Sequence, residues 1–186
     1  MGRLLIVVDM QNDFVTGSLK NEMAQKIIPD VKKKIEEVLT EEDSDVIFTM
    51  DTHYDDYLDT EEGKNLPVIH CIKNTEGWQL VDDLQEFNDN IFVKFFLKNT
   101  FGSVELGSFI KQFQKKFSRI DIIGICTDIC VISNALLIKA FVPNIPIYVD
   151  ASCCAGVSVE SHDTALQAMK ATHIHVDNEG KEAWRK

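Results

Sequence analysis

Several short apolar runs that stop abruptly on a polar residue constrain this chain more than any other feature. Leu4–Val8 stops at Asp9, Asp45–Met50 at Asp51, Ile120–Ile125 at Cys126, and Ile145–Val149 at Asp150, while Asn90–Lys98 ends on a lysine. Runs that are apolar throughout, instead of alternating, are the mark of strands covered on both faces. Between them lie stretches of helical period. Lys26–Glu41 puts Ile27, Ile28, Val31, Ile35, Val38 and Leu39 on one face, Glu105–Phe117 is helical, and Val159–Ala171 has its start signal at Ser158. Trp78–Phe87 suggests a short helix and Thr172–Val176 a last strand. Alternating strands and helices predict an α/β fold in three layers, a mostly parallel sheet with helices on both faces. With 186 residues and no repeat, linker or low-complexity tract, residues 1–186 are expected to form one domain.

Composition narrows the partners. A net charge of -11 and a pI near 4.8 repel phosphate backbones and anionic lipid, so neither nucleic acid nor a membrane is an expected partner. No apolar run approaches the roughly 20 residues of a membrane span. The five cysteines, Cys71, Cys126, Cys130, Cys153 and Cys154, are odd in number and follow no secretory signal. They read as reduced thiols of a cytoplasmic protein.

In a parallel sheet the ligand site lies beyond the carboxyl ends of the strands. The residues that end the apolar runs therefore converge on one rim: Asp9, Asp51, Lys98, Cys126 to Cys130, and Asp150. Cys130 opens the helical pattern after Ile125, where unpaired backbone N–H groups favour a thiolate. Taken alone, a packed core cysteine is the competing reading. A carboxylate, a lysine and a thiol together make an amide-hydrolysing set in which the acid takes the thiol proton and the ammonium holds the acid in its charged form. Lys94 and Lys98 share a strand face, and Lys98, at the carboxyl end like Asp9, is the better candidate.

Asp51-Thr-His53 offers two metal ligands on one side of an extended segment, and His70 offers a third. A carboxylate with two imidazoles suits Zn2+, Fe2+ or Mn2+, with open positions for water or substrate. Glu62, in the intervening loop, is a candidate fourth ligand. The competing reading makes Asp51 a turn cap and the histidines surface residues. Asp55, Asp56 and Asp59 read as solvated loop charges, and His162, His173 and His175 as structural or exposed.

Val7-Val-Asp-Met-Gln-Asn-Asp-Phe14, Asp51-x-His53, His70-Cys71, Lys98 and Gly124-Ile-Cys-Thr-Asp-Ile-Cys-Val131, in that order, resemble the cysteine hydrolases of the isochorismatase-like fold, and among them the nicotinamidase branch. The resemblance runs from Leu4 to about Val176. It implies a Rossmann-like strand order and a catalytic triad of Asp9, Lys98 and Cys130. It also implies an oxyanion hole from the backbone N–H groups of Cys126 and Cys130, and a cis peptide between Ile125 and Cys126. It further implies a metal on Asp51, His53 and His70 that receives a pyridine nitrogen, and aromatic residues against the substrate ring: Phe14, with Trp78 and Phe101 as additional candidates. The metal loop lacks a second histidine found in many members, and Glu62 takes its place. An oligomer of identical chains is the implied assembly.

The leading functional expectation is a metal-assisted cysteine amidohydrolase, with zinc as the expected metal, converting nicotinamide to nicotinate and ammonia through a thioester. The same triad acting on another small amide, an N-carbamoyl compound or ureidoacrylate, is the alternative within enzymes. A phosphoacceptor receiver-like signalling domain also gathers aspartates and a lysine at strand ends, but leaves Cys130, His53 and His70 without a role. A redox pair of Cys126 and Cys130 is a further reading, at a spacing unlike the usual C-x-x-C.

Overall fold

The computed structural model describes residues 1–185. Six strands form one sheet: β1 (Gly2–Val8), β2 (Asp45–Asp51), β3 (Val93–Lys98), β4 (Phe117–Ile125), β5 (Ile147–Ala155) and β6 (His175–Asp177). Their spatial order is β3-β2-β1-β4-β5-β6, and every pairing is parallel. This is the doubly wound order, whose direction reverses between β1 and β4. The helices are α1 (Asn12–Val15), α2 (Glu22–Leu39), α3 (Glu61–Asn65), α4 (Val104–Gln112), α5 (Ile132–Phe141) and α6 (Val159–Ala171).

The apolar runs explain the layering. Along β1, Leu5 and Val7 enter the core beneath α2, and Leu4, Ile6 and Val8 enter the core on the opposite face. Ile27, Val31, Ile35 and Val38 of α2 are fully buried on the first side. Burying side chains of this size stabilises by roughly 1.5–3 kcal/mol each. Leu106 and Ile110 of α4, Ala135 and Ile138 of α5, and Leu166 and Met169 of α6 fill the second.

Several boundaries differ from the sequence expectation for identifiable reasons. Helix α2 begins at Glu22, ahead of Lys26, because the Asn21 side chain caps it by accepting from the Met23 and Ala24 N–H groups. Helix α4 stops at Gln112, and Phe117 opens β4 as a buried residue. Trp78–Phe87 yields only a 3-10 turn over Asp82–Phe87. Strand β5 passes through Asp150 to Ala155, so Asp150 lies inside a strand and not at the rim. Its carboxylate meets Lys34 of α2 at 2.6 Å. The start of α6 falls where expected, with a reciprocal cap between Ser158 and Ser161.

Gly124 is fixed by packing. Its φ is +113°, and a Cβ there would stand 2.2 Å from the Val8 carbonyl oxygen. Only glycine lets β4 close against β1 at the strand end where the sheet reverses direction.

Candidate active site

Strand register assembles the site. Asp51 pairs with Lys98 across β2 and β3, so both side chains reach the same rim. Asp9 follows β1 with φ 49°, a conformation unusual outside glycine, and is fully buried. The Lys98 ammonium lies 2.6 Å from Asp9 Oδ2, 3.2 Å from Asp51 Oδ1 and 3.5 Å from Cys130 Sγ. Thr49 donates its hydroxyl to Asp9 Oδ1 at 2.7 Å. Lys94 is exposed on the same strand and takes no part.

The electrostatics differ from the sequence expectation of a resting thiolate. Burial pushes the Cys130 thiol well above its ordinary value; Lys98 opposes this, and the Asp9 and Asp51 carboxylates add to it. Burial also raises Asp9, against the pull of Lys98. For Lys98, burial alone would lower the ammonium, but Asp9, Cys130 and Asp51 outweigh it and hold it charged. Both shifts favour a Cys130 thiol beside an Asp9 carboxyl group with a raised affinity for a proton. The helix start does not ionise the sulfur by itself.

Cys130 sits in a wide turn, Thr127–Val131, that leads into α5. The Ile129 and Val131 N–H groups both donate to the Cys126 carbonyl at 3.1 Å. Asn134 donates to the Cys130 carbonyl at 2.8 Å and accepts from the Ser103 N–H at 3.0 Å, tying the turn to the loop after β3. The Ile125–Cys126 peptide is cis. The Cys126 thiol, expected as a neighbour of the nucleophile, is pushed up to about 12 by burial, with Asp128 and Asp9 adding to it.

Beside this group, Asp51, His53, Glu62 and His70 bring their ligand atoms within 4.8 Å of one another. The donor set fits a divalent cation on its own chemistry. His70 Nδ1 lies 2.8 Å from the Val68 carbonyl, which only a ring N–H can satisfy, so a neutral His70 turns the lone pair of Nε2 toward Asp51 and Glu62. Among the described residues His53 Nε2 is buried without a well-aligned hydrogen-bond partner, although it lies 2.9 Å from Asp51 Oδ2. Buried lone pairs facing two carboxylates repel one another unless a cation or protons lie between them. The cluster is held from behind: the Gln11 side chain accepts from the Asp51 N–H at 2.7 Å and donates to its carbonyl at 2.9 Å. Asp13 accepts from the Cys71 N–H at 2.8 Å.

Cys130 and the four candidate ligands open into one cavity of about 1260 Å³, whose wall also includes Phe14, Tyr57, Phe101 and Cys126, while Asp9 and Lys98 lie behind it. Phe14 stands edge-on to His70 with centroids 5.4 Å apart. Phe101 is half-exposed across the opening. Trp78 does not line this cavity: its indole N–H donates to Thr52 at 2.9 Å and its ring packs against the core. Tyr57, 4.6 Å from His53 and 5.0 Å from His70 by ring centroids, occupies the ligand side instead. An isolated tyrosine in a polar loop gave no sequence signal for that position. Gln11 and Asn134 were legible only as parts of longer motifs.

Asp150 belongs to a different place. Lys34, Asn178 and Ser152 surround its carboxylate. His173 and His175 are exposed, whereas His162 is fully buried.

A doubly wound parallel sheet that brings an acid, a lysine and a thiol together at its reversal point carries the groups of an amide hydrolase on a three-layer α/β fold. Residues 3–178 match the Isochorismatase domain, and the chain belongs to that family. It is 26% identical over 210 residues to the nicotinamidase of Schizosaccharomyces pombe, covering 94% of this chain and 92% of that protein. An uncharacterized isochorismatase family protein, PncA of Bacillus subtilis, is 28% identical over 177 residues, covering 89% and 93%. Among solved structures, nicotinamidase PncA from Bacillus subtilis superposes with a TM-score of 0.82 at 25% identity, over 96% of this chain and 100% of that one. The pyrazinamidase of Pyrococcus horikoshii in complex with zinc gives 0.79 at 27%, over 95% and 98%. Family membership leaves the receiver-like reading without support. Among the described residues no helix is long and apolar enough to cross a membrane.

Proposed function

We propose that this chain hydrolyses nicotinamide to nicotinate and ammonia, with Asp9, Lys98 and Cys130 as its catalytic residues. The observation that carries the reading is Cys130 Sγ 3.5 Å from the Lys98 ammonium, itself 2.6 Å from Asp9, in the cavity that also presents Asp51, His53, Glu62 and His70. The nicotinamidase and pyrazinamidase relatives support the choice of amide.

Asp9 takes the thiol proton as the sulfur attacks the carboxamide carbon, and Lys98 balances the charge left on sulfur. The oxyanion is received by the backbone N–H groups of Cys126 and Cys130. Asp9 returns its proton to the departing ammonia, leaving a thioester on Cys130. It then takes a proton from the water that cleaves the thioester and passes it to the departing Cys130 sulfur, restoring the thiol, so one water is consumed for each amide. Phe14 and Phe101 flank the aromatic ring. Asp51, His53, His70 and Glu62 would hold a divalent cation, zinc by the mixed imidazole and carboxylate donor set, which supplies a Lewis-acid anchor for the pyridine nitrogen. Residues 1–186 act as one hydrolase domain in a cytoplasmic homo-oligomer that recycles nicotinamide for NAD salvage.

The test is ammonia release from a panel of nicotinamide, pyrazinamide, N-carbamoyl compounds and ureidoacrylate, with metal content measured in parallel. Release from nicotinamide by the native protein and none by Cys130→Ala is expected. Equal rates in the two overturn the mechanism. Turnover confined to the carbamoyl compounds moves the substrate and leaves the triad in place.

A further inference from the structure

His162 reads in sequence as structural or exposed, and nothing in the sequence singles out Glu182. The structure joins them. Glu182 is completely buried, and its Oε1 lies 3.3 Å from His162 Nε2. His162, also completely buried, places Nδ1 2.8 Å from the Thr127 hydroxyl. Thr127 is the first residue of the turn that carries Cys130, and its carbonyl accepts from the Ile132 N–H at the end of that turn. Trp184 packs edge-on to His162 with centroids 5.0 Å apart and donates its indole N–H to the Cys154 carbonyl at 3.1 Å. Arg185 binds Glu182 on one side and Asp163 on the other. Glu182 and Trp184 lie outside the residues that match the family.

The polarity of this hydrogen-bond relay is determined. Glu182 is held ionised by Arg185 against its burial, so it accepts from His162 Nε2–H. Nδ1 then has only a lone pair, and Thr127 must donate its hydroxyl to it. Carboxylate, imidazole and hydroxyl in series is the order of a hydroxyl-nucleophile triad. Thr127 has no exposed surface and does not line the cavity, so it cannot meet a substrate. Burying a carboxylate and an imidazole is costly unless each is fully partnered, and here each is. What the relay fixes is the orientation of Thr127, and through the turn hydrogen bonds the position of the Cys130 sulfur. Asp128, the next residue, is fastened separately by the Val157 N–H at 3.0 Å.

We infer that Glu182, His162 and Thr127 are positioning residues for the nucleophile, and that the C-terminal turn Ala183–Arg185 acts as a latch holding the Cys126–Cys130 turn in its reactive geometry. This rests on the reading of Cys130 as nucleophile. A misplacement of about 1 Å in a reacting group can cost about 10²-fold, so losses of about 10- to 100-fold in kcat are expected, with KM changed by less than about twofold. The variants are Thr127→Val and Glu182→Ala, which break the relay, and Thr127→Ser and Glu182→Gln, which keep the donor and the acceptor on either side of His162, the glutamine giving up only the acceptor toward Arg185.

Two readouts are needed on the full chain: steady-state kinetics with nicotinamide, and the rate of Cys130 alkylation by iodoacetamide, located by peptide mass mapping. The expected result is loss of kcat and an altered alkylation rate in Thr127→Val and Glu182→Ala. Both return in Thr127→Ser and Glu182→Gln at comparable melting temperatures. Unchanged kcat and alkylation in Thr127→Val, or equal losses in Thr127→Val and Thr127→Ser, overturn the inference. If the native protein releases no ammonia from nicotinamide, the proposed substrate fails while the alkylation series still decides whether the latch positions the sulfur.

Discussion

Asp9 follows the apolar run Leu4–Val8 and Asp150 the run Ile145–Val149; both are buried, and each has a lysine ammonium 2.6 Å from a carboxylate oxygen. Their surroundings then diverge. Asp150 also receives the Asn178 amide at 2.9 Å and the Ser152 hydroxyl and N–H at 2.7 and 3.2 Å. Burial would raise it, but this surplus of donors holds it below the ordinary carboxylate range. Among the described residues Asp9 has Thr49 and the Cys130 thiol besides Lys98; it shares Lys98 with Asp51, whose charge pushes Asp9 further up. Burial wins there and pushes its affinity for a proton upward. A lysine partner therefore does not distinguish a structural aspartate from a base. The count of further donors does.

The largest effects test that distinction directly. Cys130→Ala and Asp9→Asn should each lower amide turnover by at least about 10³-fold, measured as ammonia release. Asp9→Asn should leave the melting temperature within about 3 °C, because Lys98 keeps Asp51 as a partner. A melting temperature that collapses with Asp9→Asn would make Asp9 an anchor like Asp150 and break the comparison. Next in size is His70→Ala, on the Asp51 side of the shared lysine. If the cluster holds the proposed cation, this variant should lose most of the bound divalent metal by elemental analysis and cost at least about 100-fold in turnover. Full metal content in that variant would remove His70 from the ligand set.

Asp150→Asn should do the reverse of Asp9→Asn. Losing the charge opposite Lys34 is expected to cost about 1–3 kcal/mol in chemical denaturation, with turnover within about twofold of native. A turnover loss as large as that of Asp9→Asn would return Asp150 to the rim where the sequence pattern put it.

That misplacement shows what a sequence of this kind displays. The apolar runs and helical stripes were sufficient for the layers, because continuous burial on both faces leaves little choice of architecture. Asp9, Asp51, Lys98 and the Cys126–Cys130 turn were legible as run ends. The end of β5 was not, since Ala151, Cys153, Cys154 and Ala155 are small residues that extend a strand without the branched signature. Trp78 and Tyr57 were exchanged because nothing in one dimension says which aromatic faces a cavity and which donates to Thr52. His162 and Glu182 were invisible as a pair, being joined only through tertiary packing around Trp184.

The smallest effect is a difference of slopes with pH, and its sign separates the two aspartates. Asp150 has a depressed folded pKa, so its stabilisation is present above the unfolded value of about 3.9 and is lost as pH falls through the lower folded value. The stability gap between native protein and Asp150→Asn should therefore be largest at neutral pH and shrink below about pH 4. Asp9 has a raised folded pKa, so its favourable contribution is present below that same unfolded value and is lost as pH rises through the raised folded one. The native protein should accordingly lose stability relative to Asp9→Asn as pH rises. A tenfold difference in proton affinity between the folded and unfolded chain is worth about 1.4 kcal/mol, which sets the scale of both changes. Denaturant titrations of the three proteins from acid to neutral pH would give difference curves of opposite slope. Parallel curves would mean that the two lysine-paired aspartates share one electrostatic state, and that donor count is not what sets them apart.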